Sequence, residues 1–380
     1  MQSAVSPTRG TGTKRIGRDL PVFPPVGPTK VSSSVYTDPA RLEEELEKVF
    51  FRSWLIVDRS SAIPNPGDYL VWEEIGQTVV VSRLEDGSVR AFHNVCMHRG
   101  ARIVDPDRGN PGHCADLKFE CPWHGWQYDQ TGSVVGVPAR IDFDAAELKD
   151  VRAMEVAVHE FAGWIWMVLD PEHAVDFEEW MGPEILEELG HFSMGEWEVN
   201  AFKVWEMECN WKAVVDAFIE VYHLYGAHKN SIGDGLSQQY TYQWLFDRHS
   251  MYVVPSTERI EAILDSEDHI ADAISHYYVF PVNTFNCSAS SLQMFQAIPV
   301  DVNTTRYKCW YLCHPGGDEE YMDRVRYGWE GFCKIAEEDL YAAKQVGSTG
   351  KSIAYKRNIM NQRECRIPHF LENIERMIRE

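Results

Sequence analysis

Between residues 54 and 170 the apolar positions come in short runs, some alternating with polar residues and some β-branched throughout. Asp68-Tyr69-Leu70-Val71, Thr78-Val79-Val80-Val81, Arg90-Ala91-Phe92 and Trp164-Ile165-Trp166-Met167-Val168 are the clearest. Asn65-Pro66-Gly67, Asp86-Gly87 and Thr131-Gly132 punctuate them. Short runs broken by turn formers predict a small all-β domain. Upstream, Asp38-Pro39 offers an N-cap and a first-turn proline, and Leu42, Leu46, Val49 and Phe50 follow at helical spacing, which predicts a helix within 36–53. Downstream the texture is mixed. An acidic helix is expected over 177–190, a helix over 211–225, long antiparallel strands over 277–299 and 305–313, and a long helix over 321–346. Residues 1–35, rich in Pro, Gly, Ser and Thr, read as a flexible arm.

The expected architecture is therefore α+β. A small all-β domain (54–170) is inserted near the N-terminus of a larger α+β domain (171–380), built on an antiparallel sheet with helices and packed by the helix of 36–53. A chain of 380 residues is long enough for two cores. A formal net charge of -22 argues against nucleic acid or an anionic membrane as partner, because like charges repel. With no run long enough to span a bilayer and no leader-like start, the expected location is the cytoplasm. The nine cysteines, Cys96, Cys114, Cys121, Cys209, Cys287, Cys309, Cys313, Cys333 and Cys365, are too sparse for a disulfide framework and are expected reduced.

Two of them stand in a telling context. Cys96-Met97-His98 and Cys121-Pro122-Trp123-His124 form C-x-H and C-x₂-H pairs separated by 22 residues. A Rieske [2Fe–2S] centre needs two thiolates on one iron and two imidazoles on the other, and each pair can supply one of each from a single tight loop. Zinc draws on the same ligand types, but Cys₂His₂ zinc sites group like ligands together, whereas here each loop mixes them. His113 and Cys114 fit neither loop and are read as structural.

A second metal site is suggested further on. His223 and His228 lie about 140° apart on an ideal helix, but Gly226 between them could end the helix and let His228 turn back. Asp216, Glu220 and His223 form a polar stripe among Val214, Val215, Phe218 and Ile219, and buried carboxylates demand a partner. Near the C-terminus, Asp339 shares a helical face with Phe332, Ile335, Ala336, Ala343 and Val346, while Glu337 reads as solvated. Asp339 is the first choice for a carboxylate ligand and Glu338 the second.

Cys96-Met97-His98-Arg99-Gly100-Ala101 and Cys121-Pro122-Trp123-His124-Gly125-Trp126 resemble the signature of Rieske oxygenase catalytic subunits, and the likeness runs from the helix ending at Trp54 to Val346. It implies a cluster held by Cys96, His98, Cys121 and His124, and a mononuclear Fe(II) held by His223, His228 and an acid of the Glu338-Asp339 pair. It further implies Glu220 as a carboxylate linking the two centres, where many relatives carry Asp. A homotrimer is expected on the same ground. The implied reaction is O₂-dependent hydroxylation of an aromatic or other cyclic hydrophobic substrate. Oxidative O- or N-demethylation, quaternary ammonium substrates included, is the alternative, and a non-catalytic electron carrier the second. No G-x-G-x-x-G after a strand and no ferredoxin cysteine spacing are found, so a separate NAD(P)H reductase, possibly with a ferredoxin, is expected to supply electrons. Phe218, Trp244, Tyr277, Tyr278, Phe280, Phe285, Met294, Phe295 and Trp310 are candidate pocket residues.

Overall fold

The computed structural model describes Phe23, residues 31–261, 273–288 and 291–380. The expected arm therefore lies almost wholly outside the described residues, and its last part, Ser33–Tyr36, forms a 3-10 turn. The chain divides into two compact units, Phe50–Phe177 and the remainder. Residues 50–53 and 171–177 thus go with the smaller unit. Among the described residues no helix is long and apolar enough to cross a membrane.

The smaller unit is all-β, as its short runs predict. Strands β1 (Leu55–Arg59), β2 (Asp68–Glu74), β3 (Gln77–Arg83), β4 (Val89–His93), β5 (Gly112–His113), β9 (Glu155–Phe161) and β10 (Trp164–Val168) pair in the order β1-β10-β9-β4-β3-β2-β5. A small sheet of β6 (Lys118–Glu120), β7 (Gln127–Asp129) and β8 (Val134–Gly136) accompanies it. Val71, Val80, Phe92, Phe119, Trp126 and Tyr128 meet in one core, and Cys96 and Cys121 belong to it.

In the larger unit, α1 (Pro39–Glu45) starts at Asp38, whose carboxylate accepts the Ala40 N–H. It is shorter than expected, because Leu46–Phe50 continue as a π-type turn. Helix α2 (Phe177–Gly190) is broken at Gly182 by the following Pro183. The sheet has the order β11-β17-β16-β15-β14-β13-β12. Its strands are β11 (Glu198–Met207), β12 (Tyr242–Leu245), β13 (Ser250–Pro255), β14 (Ala273–Val279), β15 (Asn283–Cys287), β16 (Leu292–Asp301) and β17 (Thr304–Cys313). The expected single strand over 277–299 is thus three antiparallel segments. Helices α3 (Trp211–Phe218), α4 (Glu319–Thr349) and α5 (Arg366–Arg379) lie against one sheet face, where Phe218 stacks on Phe295 and Phe370 meets Tyr278 edge to face. The other face packs against α2, with Tyr277 donating to Glu188 (3.0 Å).

Candidate metal centres

The two Cys/His loops of the smaller unit have the same build. In the first, the Cys96 N–H donates to Ala101 O (2.7 Å) and the Gly100 N–H to Cys96 O (2.8 Å). In the second, the Cys121 N–H donates to Trp126 O (2.8 Å) and the Gly125 N–H to Cys121 O (3.0 Å). Each closes on a left-handed glycine, φ 76° at Gly100 and 73° at Gly125, a conformation that any Cβ would strain. Asn94 pins the first loop. Its Oδ1 accepts the N–H groups of Ile103 (2.9 Å) and Val104 (2.8 Å), and its Nδ2 donates to Val104 O (2.7 Å). Sequence reading missed Asn94, since a lone Asn before a cysteine carries no recognisable signal.

The donors suit a two-iron cluster. Cys96 and Cys121 are buried, His98 is half-buried and His124 is exposed, so the thiols lie inside and the imidazoles at the rim, rings 4.6 Å apart. Burial, with the Cys96 thiol alongside, pushes the Cys121 thiol up. Two crowded thiols in a dry site are at ease only on a cation. Tyr128, also missed, donates its hydroxyl to Cys96 Sγ (3.2 Å) and accepts the Met97 N–H (2.9 Å). His98 stacks on Trp126 (5.3 Å, 8°). His113 and Cys114 are satisfied elsewhere, by Asp68 (2.8 Å) and Lys118 O (2.8 Å).

In the larger unit, His223, His228 and Asp339 offer ligand atoms that all lie within 4.8 Å of one another. Asp339 Oδ1 is 3.3 Å from His223 Nε2 and 3.0 Å from His228 Nε2. Both rings are held from behind by carboxylates. Glu220 Oε1 meets His223 Nδ1 at 2.5 Å, and Glu338 Oε2 meets His228 Nδ1 at 2.7 Å while accepting Ser231 Oγ at 2.5 Å. The adjacent acids therefore part company: Asp339 faces the Nε2 atoms and Glu338 the opposite edge of one ring.

The local fold differs from the expected helix over 211–225. Helix α3 ends at Phe218, and a 3-10 turn, Tyr222–Tyr225, carries His223. The break falls before Glu220 rather than at Gly226, and Glu220 explains how it is held: Oε2 accepts the N–H groups of Tyr222 and His223 (3.2 Å). Asp216 does not reach the site. It accepts the Tyr36 hydroxyl at 2.6 Å, and burial lifts its carboxyl to about 7.

Charge favours a cation here. Burial alone would lower the His223 imidazole, yet Glu220 and then Asp339 raise it to about 9. Three carboxylates around two imidazoles match a divalent metal, and two Nε2 atoms with one carboxylate oxygen make the facial set of non-haem Fe(II) sites.

The candidate pocket residues separate by strand parity. Phe218, Tyr278 and Phe295 are on the face covered by α3, α4 and α5, as is Tyr307, which stacks on Phe218 (4.8 Å). Trp244, Tyr277, Phe285, Met294 and Trp310 are on the opposite face by register, so they cannot line a pocket at the triad. Phe280 follows β14 and packs near Trp180 of α2.

Comparison with known proteins agrees with this layout. Residues 53–151 match the family model of the Rieske [2Fe-2S] domain, and residues 194–380 that of the ring hydroxylating alpha subunit (catalytic domain). The benzene 1,2-dioxygenase alpha subunit of Pseudomonas putida is 33% identical over 199 residues, 51% of this chain but only 43% of that subunit. The chain thus spans less than half the length of such relatives. The carnitine monooxygenase oxygenase subunit of Acinetobacter pittii is 28% identical over 335 residues, 84% of this chain and 85% of the relative. In fold, a quaternary ammonium Rieske monooxygenase in complex with L-carnitine matches with a TM-score of 0.76 at 22% identity, covering 92% of this chain and 95% of that one. Naphthalene 1,2-dioxygenase from Rhodococcus sp. matches at 0.73 and 21%, with the same coverage.

Proposed function

The chain belongs to the Rieske-type ring-hydroxylating oxygenases as a catalytic alpha-type subunit, and from that premise we propose that it is a terminal oxygenase hydroxylating an aromatic or other cyclic hydrophobic substrate with O₂. When bound, the cluster supplies single electrons and the mononuclear iron supplies a site for O₂ activation. Cys96, His98, Cys121 and His124 would hold the first, and His223, His228 and Asp339 the second. The observation that supports this most is the convergence of two Nε2 atoms on Asp339, each ring backed by a carboxylate. Glu220 and Glu338 fix both imidazoles as Nδ1–H donors, so the Nε2 lone pairs point at one spot. Phe218, Phe295 and Tyr307 form stacked aromatic walls suited to a flat ring.

Electrons come from a separate NAD(P)H reductase, directly or through a ferredoxin, and enter at exposed His124 beside exposed Met97 and Trp123. The assembly is a homotrimer in which Glu220 links the two kinds of centre. A cytoplasmic location suits the nine free thiols. A second reading, oxidative demethylation of a quaternary ammonium compound, is favoured by the near full-length likeness to carnitine monooxygenase.

The test is NAD(P)H-coupled oxygen uptake, with a reductase added, across aromatic acids, polycyclic hydrocarbons and methylammonium compounds, with products identified. A hydroxylated ring supports the first reading and release of formaldehyde the second. Oxygen consumed without product from every compound contradicts both.

A further inference from the structure

Arg366 is fully buried on α5, and among the described residues none of its hydrogen-bond partners is an anion. Its Nε donates to Ser250 Oγ (2.8 Å), one terminal nitrogen to Ser250 O (3.2 Å), and both terminal nitrogens to His276 Nδ1 (3.2 Å each); the guanidinium lies 4.8 Å over the Tyr252 ring. Burying a charge without a counter-charge is among the costliest arrangements in a fold. A guanidinium only donates, so His276 Nδ1 must accept. His276 is thereby locked neutral with its proton on Nε2, at the far edge of the ring from Arg366. That Nε2 is buried and has no partner among the described residues.

The position of this unit gives it a use. Tyr252, His276, Asn286, Gln293 and Tyr311 form one register row across β13 to β17, on the sheet face that α3, α4 and α5 cover. Tyr252 stacks on His276 (4.5 Å, 15°) and packs against Val221 and Leu224, the neighbours of His223. At the other side of the sheet Tyr307 occupies the same face, and the charge of Asp339 bears on both Tyr252 and Tyr307. The strands carrying His276 and Asn286 therefore run between two residues that flank the triad. Asn286 stays half-buried although β15 is a central strand, and its Oδ1 has no partner among the described residues, so the amide can turn to present its NH2 at that position.

We infer that the substrate of this site carries a carboxylate, which accepts the His276 Nε2–H and an Asn286 amide N–H and supplies the counter-charge that Arg366 lacks. The inference rests on the oxygenase reading and deepens it. A plain hydrocarbon would leave His276 Nε2 unpaired, whereas a carboxylate satisfies it and fixes the apolar remainder toward Phe218 and Phe295. The same chemistry serves a ring acid or a betaine.

The experiment measures binding to the anaerobic holoprotein by calorimetry, in two arms: benzoate against toluene, and γ-butyrobetaine against butyltrimethylammonium. At least one acid is expected to bind about a hundredfold or more tightly than its carboxylate-free analogue. His276→Leu should abolish that preference. His276→Gln, which keeps a donor and an acceptor, should restore part of it. Asn286→Leu, outside the Arg366 contacts, should weaken it and decides the matter if His276→Leu fails to fold. Equal binding of acid and analogue in both arms, or a preference that survives Asn286→Leu and His276→Leu, overturns the inference. Such a result in a protein holding three irons per chain leaves the oxygenase reading intact; a chain holding two contradicts that reading instead.

Discussion

At the scale of single residues, the two neighbouring acids of α4 do different work. Asp339 Oδ1 stands where it can bond a metal held by both Nε2 atoms, whereas Glu338 Oε2 meets His228 at Nδ1, the opposite edge of the ring. Asp339→Ala should lose most of the mononuclear iron with the cluster intact, whereas Glu338→Ala should keep iron at saturation and weaken its affinity about 10–100-fold. Metal analysis after dialysis checks both, and the reverse pattern would make Glu338 the ligand. Glu220→Gln keeps the shape of the acceptor at His223 but removes its charge. Cluster and most iron should remain while product formation falls close to zero. Stopped-flow reoxidation of the cluster at the wild-type rate would remove Glu220 from electron transfer. In the smaller unit, the Tyr128 hydroxyl withdraws electron density from Cys96 Sγ, so Tyr128→Phe should lower the cluster potential. One hydrogen bond of about 1 kcal/mol corresponds to roughly 40 mV for a one-electron couple. Redox titration followed by electron resonance reads the shift, and an unchanged potential would deny the bond any effect on the cluster.

At the scale of elements, legibility followed sequence distance. The cluster loops could be read because each pair of donors lies within four residues and each loop closes on its own glycine. The helical face of Asp339 was legible for the same reason. The break after Phe218 was not, because Glu220 replaces helix bonds with its own side chain, a choice that propensity does not encode. The candidate pocket residues fall on two sheet faces because neighbours in a strand, such as Tyr277 and Tyr278, point oppositely, and which face meets the triad is set only by tertiary packing. Arg366 and His276 lie 90 residues apart and meet only through tertiary pairing. Asp216 illustrates the same distance, meeting Tyr36 across 180 residues. Its carboxyl is lifted from 3.8 to about 7 by burial, with Lys212 opposing and Glu220 and Glu364 adding to the rise. A folded-state value above the unfolded one means stability present below pH 3.8 and lost as pH climbs toward 7, at up to about 1.4 kcal/mol per pH unit. Asp216→Asn should therefore flatten the fall in denaturant midpoint between pH 5 and 7, and a wild-type slope in the variant would show that Asp216 is ionised throughout.

At the scale of the whole molecule, each compact unit carries its own centre. One offers two buried thiols with two rim imidazoles, the other two imidazoles with one carboxylate oxygen. An electron carrier needs only the first, so the second decides whether the chain is an oxygenase. Iron and acid-labile sulfide counted on the purified, reconstituted protein address this most directly. The expected result is three irons and two sulfides per chain, falling to two irons with sulfide unchanged in the double variant His223→Ala/His228→Ala. Two irons and two sulfides in the wild type, unaltered by that substitution, or zinc in place of sulfide-bound iron, would contradict it.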